Sequence, residues 1–194
     1  PPPPTPPKTL FPYTTLLRSL YSYRGRIAVA GQMIDRDSFA LYLTQVADAI
    51  QVMTADGFPH PTAFEIETAV AFLYFKNKGC DLVLLEVGMG GNLDATNIIN
   101  NTLLAVLGSI SMDHMSFLGN TLSEIAEKKA GIIKEGSHVV TVRQKTEVME
   151  VICEKCRSNH AECTVADAAQ AQVVEEGVEG QTIIYEKECY RIPL

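Results

Sequence analysis

Short apolar runs and longer amphipathic stretches take turns along this chain, an order that predicts a mixed α/β fold. Residues 26–30 (RIAVA) read as a short strand that ends in a turn at Gly31. Asp35 or Asp37 is placed to cap a helix running through residues 38–43 to about Met53. Gly57, Pro59 and Pro61 make residues 55–61 a loop. Thr62 then stands where an N-cap belongs, with Glu65 three residues later in a capping-box arrangement. The helix it opens, residues 63–78, carries Phe64, Ala71, Phe72 and Phe75 and is apolar enough to be mostly buried. Residues 80–88 (CDLVLLEVG) form a continuous apolar run ending in a carboxylate and glycines, the pattern of a central parallel strand covered on both faces. A second strand is expected over residues 103–110, a helix from Thr121 to about Lys129, a third strand over 138–142 and a helix over about 146–159. Strand, helix, strand, helix, strand implies a doubly wound, mostly parallel sheet with flanking helices. The tail from Thr164 shows weaker β-like pieces, including residues 181–185 (QTIIY), and no internal repeat is visible.

The N-terminal 19 residues break this pattern. Six of the first seven are proline, which removes backbone donors and fixes φ, so neither helix nor sheet is favoured there. Residues 1–19 are read as a disordered tail or as sequence foreign to the native gene, with a proline-rich docking arm as the alternative. Residues 20–194 are read as one partial domain.

Composition narrows the function. Apolar residues make up 46% of the chain and charged residues 20%, normal for a globular domain. The formal charge is −7 with no basic stripe, so nucleic acid is not an expected partner. The five cysteines are an odd set with no signal peptide ahead of them, which points to the cytoplasm. No apolar run approaches the roughly 18 residues of a membrane span.

Two polar clusters fall at strand ends, where open α/β sheets bind their ligands. Glu86 closes the first strand and is followed by Gly88, Gly90 and Gly91; Asp113 and His114 close the second. A strand-tip carboxylate facing glycines suits a magnesium ligand in a nucleotide site, the glycines letting a ligand approach closely. The alternatives are a carboxylate that caps a helix and a hydrogen-bonded His–Asp loop.

The segments LLEVGMGGNLDATNII (residues 84–99), SISMDHMSFLGNTLSEIAEKKAGIIK (109–134) and PTAFEIETAVAFLYF (61–75) together resemble folylpolyglutamate synthase, an enzyme often bifunctional with dihydrofolate synthase and part of the Mur ligase superfamily. RIAVAGQMI (26–34) and RQKTEVMEVI (143–152) add to the likeness. The resemblance covers residues 20–194 and implies the Mur-type central ATP-binding domain. It also implies an ATP- and Mg2+-dependent ligase, acting as a monomer, that adds L-glutamate to folate or dihydropteroate through an acyl phosphate. By motif match Glu86 and His114 correspond to magnesium ligands, and Lys129 to a catalytic lysine that becomes a carbamate. Thr62, Ala63, Phe64 and Glu65, with Leu93, Asp94 and Ala95, correspond to segments lining the pterin or folate pocket. From its own position, Lys129 also reads as an exposed helix lysine and Phe64 as a core aromatic.

Two residues depart from the family pattern. Asn92 replaces an arginine, and Lys128 replaces a glutamate, which makes the field beside Lys129 more positive. No GxxxxGK[ST] loop occurs in the chain, and the cofactor-binding residues for ATP therefore stay unassigned. The chain by itself is accordingly expected to be inactive. Three other readings compete: a zinc module built on Cys153, Cys156, His160 and Cys163, another Mur-type amino-acid ligase, and a non-catalytic folate- or partner-binding domain.

Overall fold

The computed structural model describes residues 9–10, 22–185 and 187–193. They fall into two compact units. One reaches to Met89 and takes in Asp94–Ile98; the other comprises Gly90–Leu93 and Ile99–Leu194.

In the first unit a short 3-10 turn, Tyr23–Arg26, leads into a two-residue hairpin, β1 of Thr9–Leu10 being the only earlier strand described. The hairpin pairs β2 (Ala28–Val29) with β3 (Gln32–Met33) in antiparallel fashion, so the expected strand at 26–30 is shorter and folds back on itself. The turn holds Ala30 at φ 50° and Gly31 at φ 78°. Helix α1 (Arg36–Ala55) is capped by Asp35, whose side chain accepts from the Ser38 N–H at 2.8 Å and the Ser38 hydroxyl at 2.7 Å. Helix α2 (Ala63–Lys78) starts at the expected Thr62–Glu65 capping box and stops at Gly79 in the left-handed conformation. Ile27, Ile34, Tyr42, Val70, Tyr74 and Phe75 form the core of this unit.

The strand expected over residues 80–88 is corrected by the structure. Only β4 (Leu82–Val83) is regular, and it pairs in parallel with β1, Thr9 opposite Leu82 and Leu10 opposite Val83. The expectation that residues 1–19 form no sheet therefore fails at Thr9 and Leu10; the remaining residues of that segment lie outside the described ones. Nor are both faces of residues 82–87 covered. Val83 and Leu85 pack on the core, while Leu82 and Leu84 face outward, Leu84 being 51% exposed. An apolar run hides such one-sided burial because nothing polar marks the outer face.

In the second unit β5 (Leu104–Leu107), β6 (His138–Val142) and β7 (Glu162–Ala166) form a parallel sheet in that order. The links are a short helix α3 (Met115–Leu118) with α4 (Leu122–Ala130), and α5 (Thr146–Ser158). Thr121 caps α4 as expected, accepting from the Glu124 N–H. Ala105, Leu107, Ile125, Val139, Val148 and Ile152 bury the contact between this sheet and its helices. A mixed α/β fold with parallel strands joined through helices is thus what the chain adopts. Beyond it lies an antiparallel meander, β8 (Gln172–Gly177), β9 (Gly180–Tyr185) and β10 (Glu188–Pro193). No helix among the described residues is long and apolar enough to cross a membrane.

Candidate functional site

The first unit builds a compact constellation around Asp94. One carboxylate oxygen, Oδ2, accepts from the N–H groups of Gly88 and Met89, both at 3.0 Å. The other, Oδ1, accepts from the Thr96 N–H at 3.0 Å and the Thr96 hydroxyl at 2.6 Å. Four donors on one carboxylate fix the chain after β4 and open the 3-10 turn Ala95–Ile98. Asp94 is therefore a clamp that shapes the glycine segment. Replacing it with asparagine turns an NH2 group toward one of the two donor pairs. The Asp94→Asn variant is expected to lose about 2 kcal/mol of stability, and hydrogen exchange at Gly88 and Met89 should accelerate while that at Val70 holds. Unchanged protection at Gly88 would contradict the clamp.

Phe64 closes the other side of the segment. A Cβ added at Gly88 would sit 2.7 Å from the ring carbon Cζ of Phe64. Phe64, Glu67, Thr68, Phe72, Glu86 and Thr96 are among the residues lining one cavity of about 70 Å3. The structure thus brings together Phe64, Glu86 and, through Thr96, the Asp94 clamp. Thr62 and Glu65 sit at the start of α2 and spend their polar atoms on each other. Glu65 Oε2 accepts from the Thr62 N–H at 2.7 Å and from its hydroxyl at 2.8 Å. Those two bonds, the backbone one first, hold the Glu65 carboxyl below its ordinary range. Ala63 is exposed and Ala95 half-buried.

Glu86 is exposed and lies three residues past the end of β4. The glycines behind it differ from expectation: Gly88, though exposed, has the Phe64 ring where a side chain would go, and the other close approach is also made by protein.

That second approach belongs to the other unit. A Cβ at Gly91 would meet the Lys128 carbonyl oxygen at 2.7 Å and that of Lys129 at 2.9 Å. Asn92 donates its backbone N–H to the Lys128 oxygen at 2.8 Å. Leu93 is 95% exposed. The glycines at this point allow a loop to lie on the end of α4, which the sequence had suggested as room for a ligand.

His114 sits at the N-cap of α3 with φ 48°, in the left-handed region. Its N–H donates to Asp113 Oδ1 at 2.8 Å, and its ring Nε2 lies 3.7 Å from Asp113 Oδ2. The carbonyl of His114 accepts from the N–H groups of Phe117 and Leu118, each at 2.9 Å. The hydrogen-bonded His–Asp loop is therefore present, with an exposed imidazole free to meet a ligand. Lys129 is half-buried in the last turn of α4. Lys128 beside it points its ammonium at the Phe117 carbonyl, 2.7 Å away, so its added positive charge is directed there.

Gln144 was not singled out by the motifs. Its Nε2 donates to the Gly108 carbonyl at 2.7 Å and its Oε1 accepts from the Ile110 N–H at 2.9 Å. It pins the segment leading from β5 to Asp113. A side-chain amide just past a strand end offers two N–H donors and an acceptor, the signal that would have found it.

The structure lends the zinc alternative no support: among the described residues no three His, Cys, Asp or Glu side chains gather as a metal site. Burial, with Cys163 alongside, pushes the Cys156 thiol up to about 11.

The family model of the Mur ligase middle domain matches residues 16–193. The dihydrofolate synthase/folylpolyglutamate synthase of Bacillus subtilis (strain 168) is 41% identical over 134 residues, covering 69% of this chain and 31% of its own. A Mycobacterium tuberculosis folylpolyglutamate synthase solved with ADP and AMPPCP superposes with a TM-score of 0.69 at 33% identity, covering 82% of this chain and 37% of that one. A solved FPGS–AMPPCP–folate complex gives 0.75 at 28% identity, covering 87% and 43%. The chain thus spans about a third of the length of that curated relative. With the family match running over nearly its whole length, the chain belongs to the Mur ligase middle-domain family.

Proposed function

We propose that the chain serves an ATP-dependent ligase that joins L-glutamate to the carboxylate of a folate or dihydropteroate. The observation that carries this reading is the Asp94 clamp, which sets Gly88 against Phe64 beside the cavity that Glu86 lines. The names of the relatives support it, since the Bacillus subtilis protein is a dihydrofolate and folylpolyglutamate synthase and one solved neighbour holds AMPPCP with folate. In the reaction the substrate carboxylate attacks the γ-phosphorus of ATP and ADP leaves. The amine of glutamate then attacks the resulting acyl phosphate, releases phosphate and loses a proton as the amide forms.

Phe64 offers an apolar edge and face for a flat heterocycle. Pockets that engulf a drug-sized molecule run to roughly 300–1,000 Å3, so a pterin rests on the rim of this cavity of about 70 Å3. Thr62 and Glu65 hold the start of α2 in shape, Ala63 leaves room beside it, and Leu93 and Ala95 flank the clamp in sequence.

Magnesium favours hard oxygen donors, keeps several waters and borrows phosphate oxygens, so few protein ligands are needed. The exposed carboxylate of Glu86 fits that chemistry, and the exposed imidazole of His114 offers a nitrogen; each is proposed as a ligand on its own chemistry. When bound, the metal neutralises charge that develops on the phosphoryl oxygens. Lys129 is proposed to act as a carbamate. The free cysteines suit a reducing compartment such as the cytoplasm.

Folate and dihydropteroate binding to the chain, measured calorimetrically without ATP, tests the pocket. The chain should bind one of them, and Phe64→Ala should weaken binding about tenfold or more, an aromatic contact being worth roughly 1.5 kcal/mol. Glutamate-dependent phosphate release from ATP by the complete gene product tests the ligase. Binding without that release would favour a non-catalytic folate-binding domain, and the absence of both would end the proposal.

A further inference from the structure

We infer that Lys128 is a positioning residue that ties three segments of the second unit together and so aims the His114 imidazole; the role rests on the ligase reading above. Its backbone oxygen accepts from the Asn92 N–H at 2.8 Å, at a point where the Gly91 Cα approaches too closely for any side chain. Its ammonium donates to the Phe117 carbonyl at 2.7 Å. The carbonyls of a helix's last turn have no partner within the helix, and a cation there satisfies both hydrogen bond and partial charge. Phe117 in turn donates its N–H to the carbonyl of His114.

The tether therefore runs from the glycine loop, through the residue next to Lys129, to the turn that carries His114. That turn needs holding. His114 occupies a left-handed conformation that is uncommon for a non-glycine residue, and α3 has a single turn of its own. The contact also depends on residue type. A glutamate at 128 would have no proton to donate and would face the partly negative Phe117 oxygen with a negative charge. Arginine keeps a donor of similar reach.

Mn2+ alone, a paramagnetic substitute for Mg2+, reads the position of His114 without turnover. In the unsubstituted chain it should broaden the His114 ring resonances. Lys128→Met should raise the half-saturating Mn2+ concentration about threefold, below the roughly 10–100-fold of losing a partner bonded directly to a metal ligand, with little change in melting midpoint. Lys128→Arg should restore the original concentration. Equal broadening in the methionine variant, or failure of arginine to restore it, overturns the positioning role while leaving His114 a ligand. No broadening in the unsubstituted chain removes the metal reading of His114 and the positioning role together. If Lys128→Met loses amide protection at Ile125, it has unfolded, and Lys128→Leu replaces it in the same comparison.

Discussion

Replacing Gly131 with alanine is expected to cost about 3 kcal/mol of stability, the upper end for overpacking in a close-packed region. At roughly 2–4 °C per kcal/mol for a protein of this size, the melting midpoint should fall by about 6–12 °C. The backbone at Gly131 is right-handed helical, φ −61° and ψ −13°, so alanine meets no conformational penalty there. Taken alone, exchange of a helical glycine for alanine would stabilise by up to about 1 kcal/mol. The loss comes from crowding. A Cβ at 131 would lie 2.6 Å from both Cα and Cβ of Asn92 and 2.9 Å from its nitrogen. Carbon atoms prefer about 3.5–4.0 Å. Asn92 cannot back away freely, because its N–H is bonded to the Lys128 oxygen and its neighbour Gly91 already touches that carbonyl. Gly136→Ala gives the control. It has φ 65° but open space around its Cβ position, and so measures left-handed strain without crowding. Thermal denaturation of both variants decides the matter, and a Gly131→Ala protein as stable as the parent would show that the loop and α4 are not in tight contact.

The same contact shows where sequence reasoning stops. Local signals were read correctly wherever the partners are close in the chain. The Thr62–Glu65 pair gave α2 its start because capping atoms lie three residues apart. The β-branched run at β6 gave the strand, its buried alternate residues showing only in the structure. The glycines at 88, 90 and 91 were visible, but what approaches them was not. Phe64 and the end of α4 reach them from segments far away in sequence, and a glycine kept for a ligand looks the same as one kept for a carbonyl.

Long-range partners account for the other differences. Strand β4 was expected from its hydrophobicity, yet its exposed leucines depend on what lies over them. Asp94 matches a pocket-lining segment through the family pattern, and its four donors, all within six residues of it, give it a structural task that no motif marked. The meander after β7 was only partly legible. A bulge between Val173 and Glu175 shifts the register of β8 against β9, and a shift of that kind breaks the alternation by which a strand is recognised. Lys128 was noted as a departure, but its bond to a carbonyl 11 residues earlier in the chain needed coordinates.

A buried carboxylate provides the other large effect. Glu67 lies on α2 with only 6% of its surface exposed, and no motif marked it. Its Oε2 accepts from the Tyr23 hydroxyl at 3.0 Å and from Arg26 Nη1 at 3.1 Å, while Oε1 is buried with no hydrogen bond among the described residues. Arg26 also lies over the Tyr23 ring, 4.9 Å from its centre. Arg26→Met should therefore destabilise by about 3 kcal/mol. Removing one partner of a buried pair costs roughly 3–5 kcal/mol, and the low end applies because Arg26 is 37% exposed and Tyr23 remains as a donor. Glu67→Leu should cost less, since the arginine it frees can turn to water. The double variant should recover most of the loss, leaving a coupling of about 2 kcal/mol between the two sites. Tyr23 supplies an independent readout. Burial first, and then the Glu67 hydrogen bond, raise its phenol above the ordinary value, whereas Arg26 pulls it down. Arg26→Met should thus move the Tyr23 titration further up, and Glu67→Leu should move it down. Because a raised phenol favours the folded state below its unfolded value, that contribution is lost only as the pH climbs through the folded one. Urea denaturation of the four proteins at neutral pH measures the coupling. Purely additive single effects would show that the Glu67 charge is not held by Arg26.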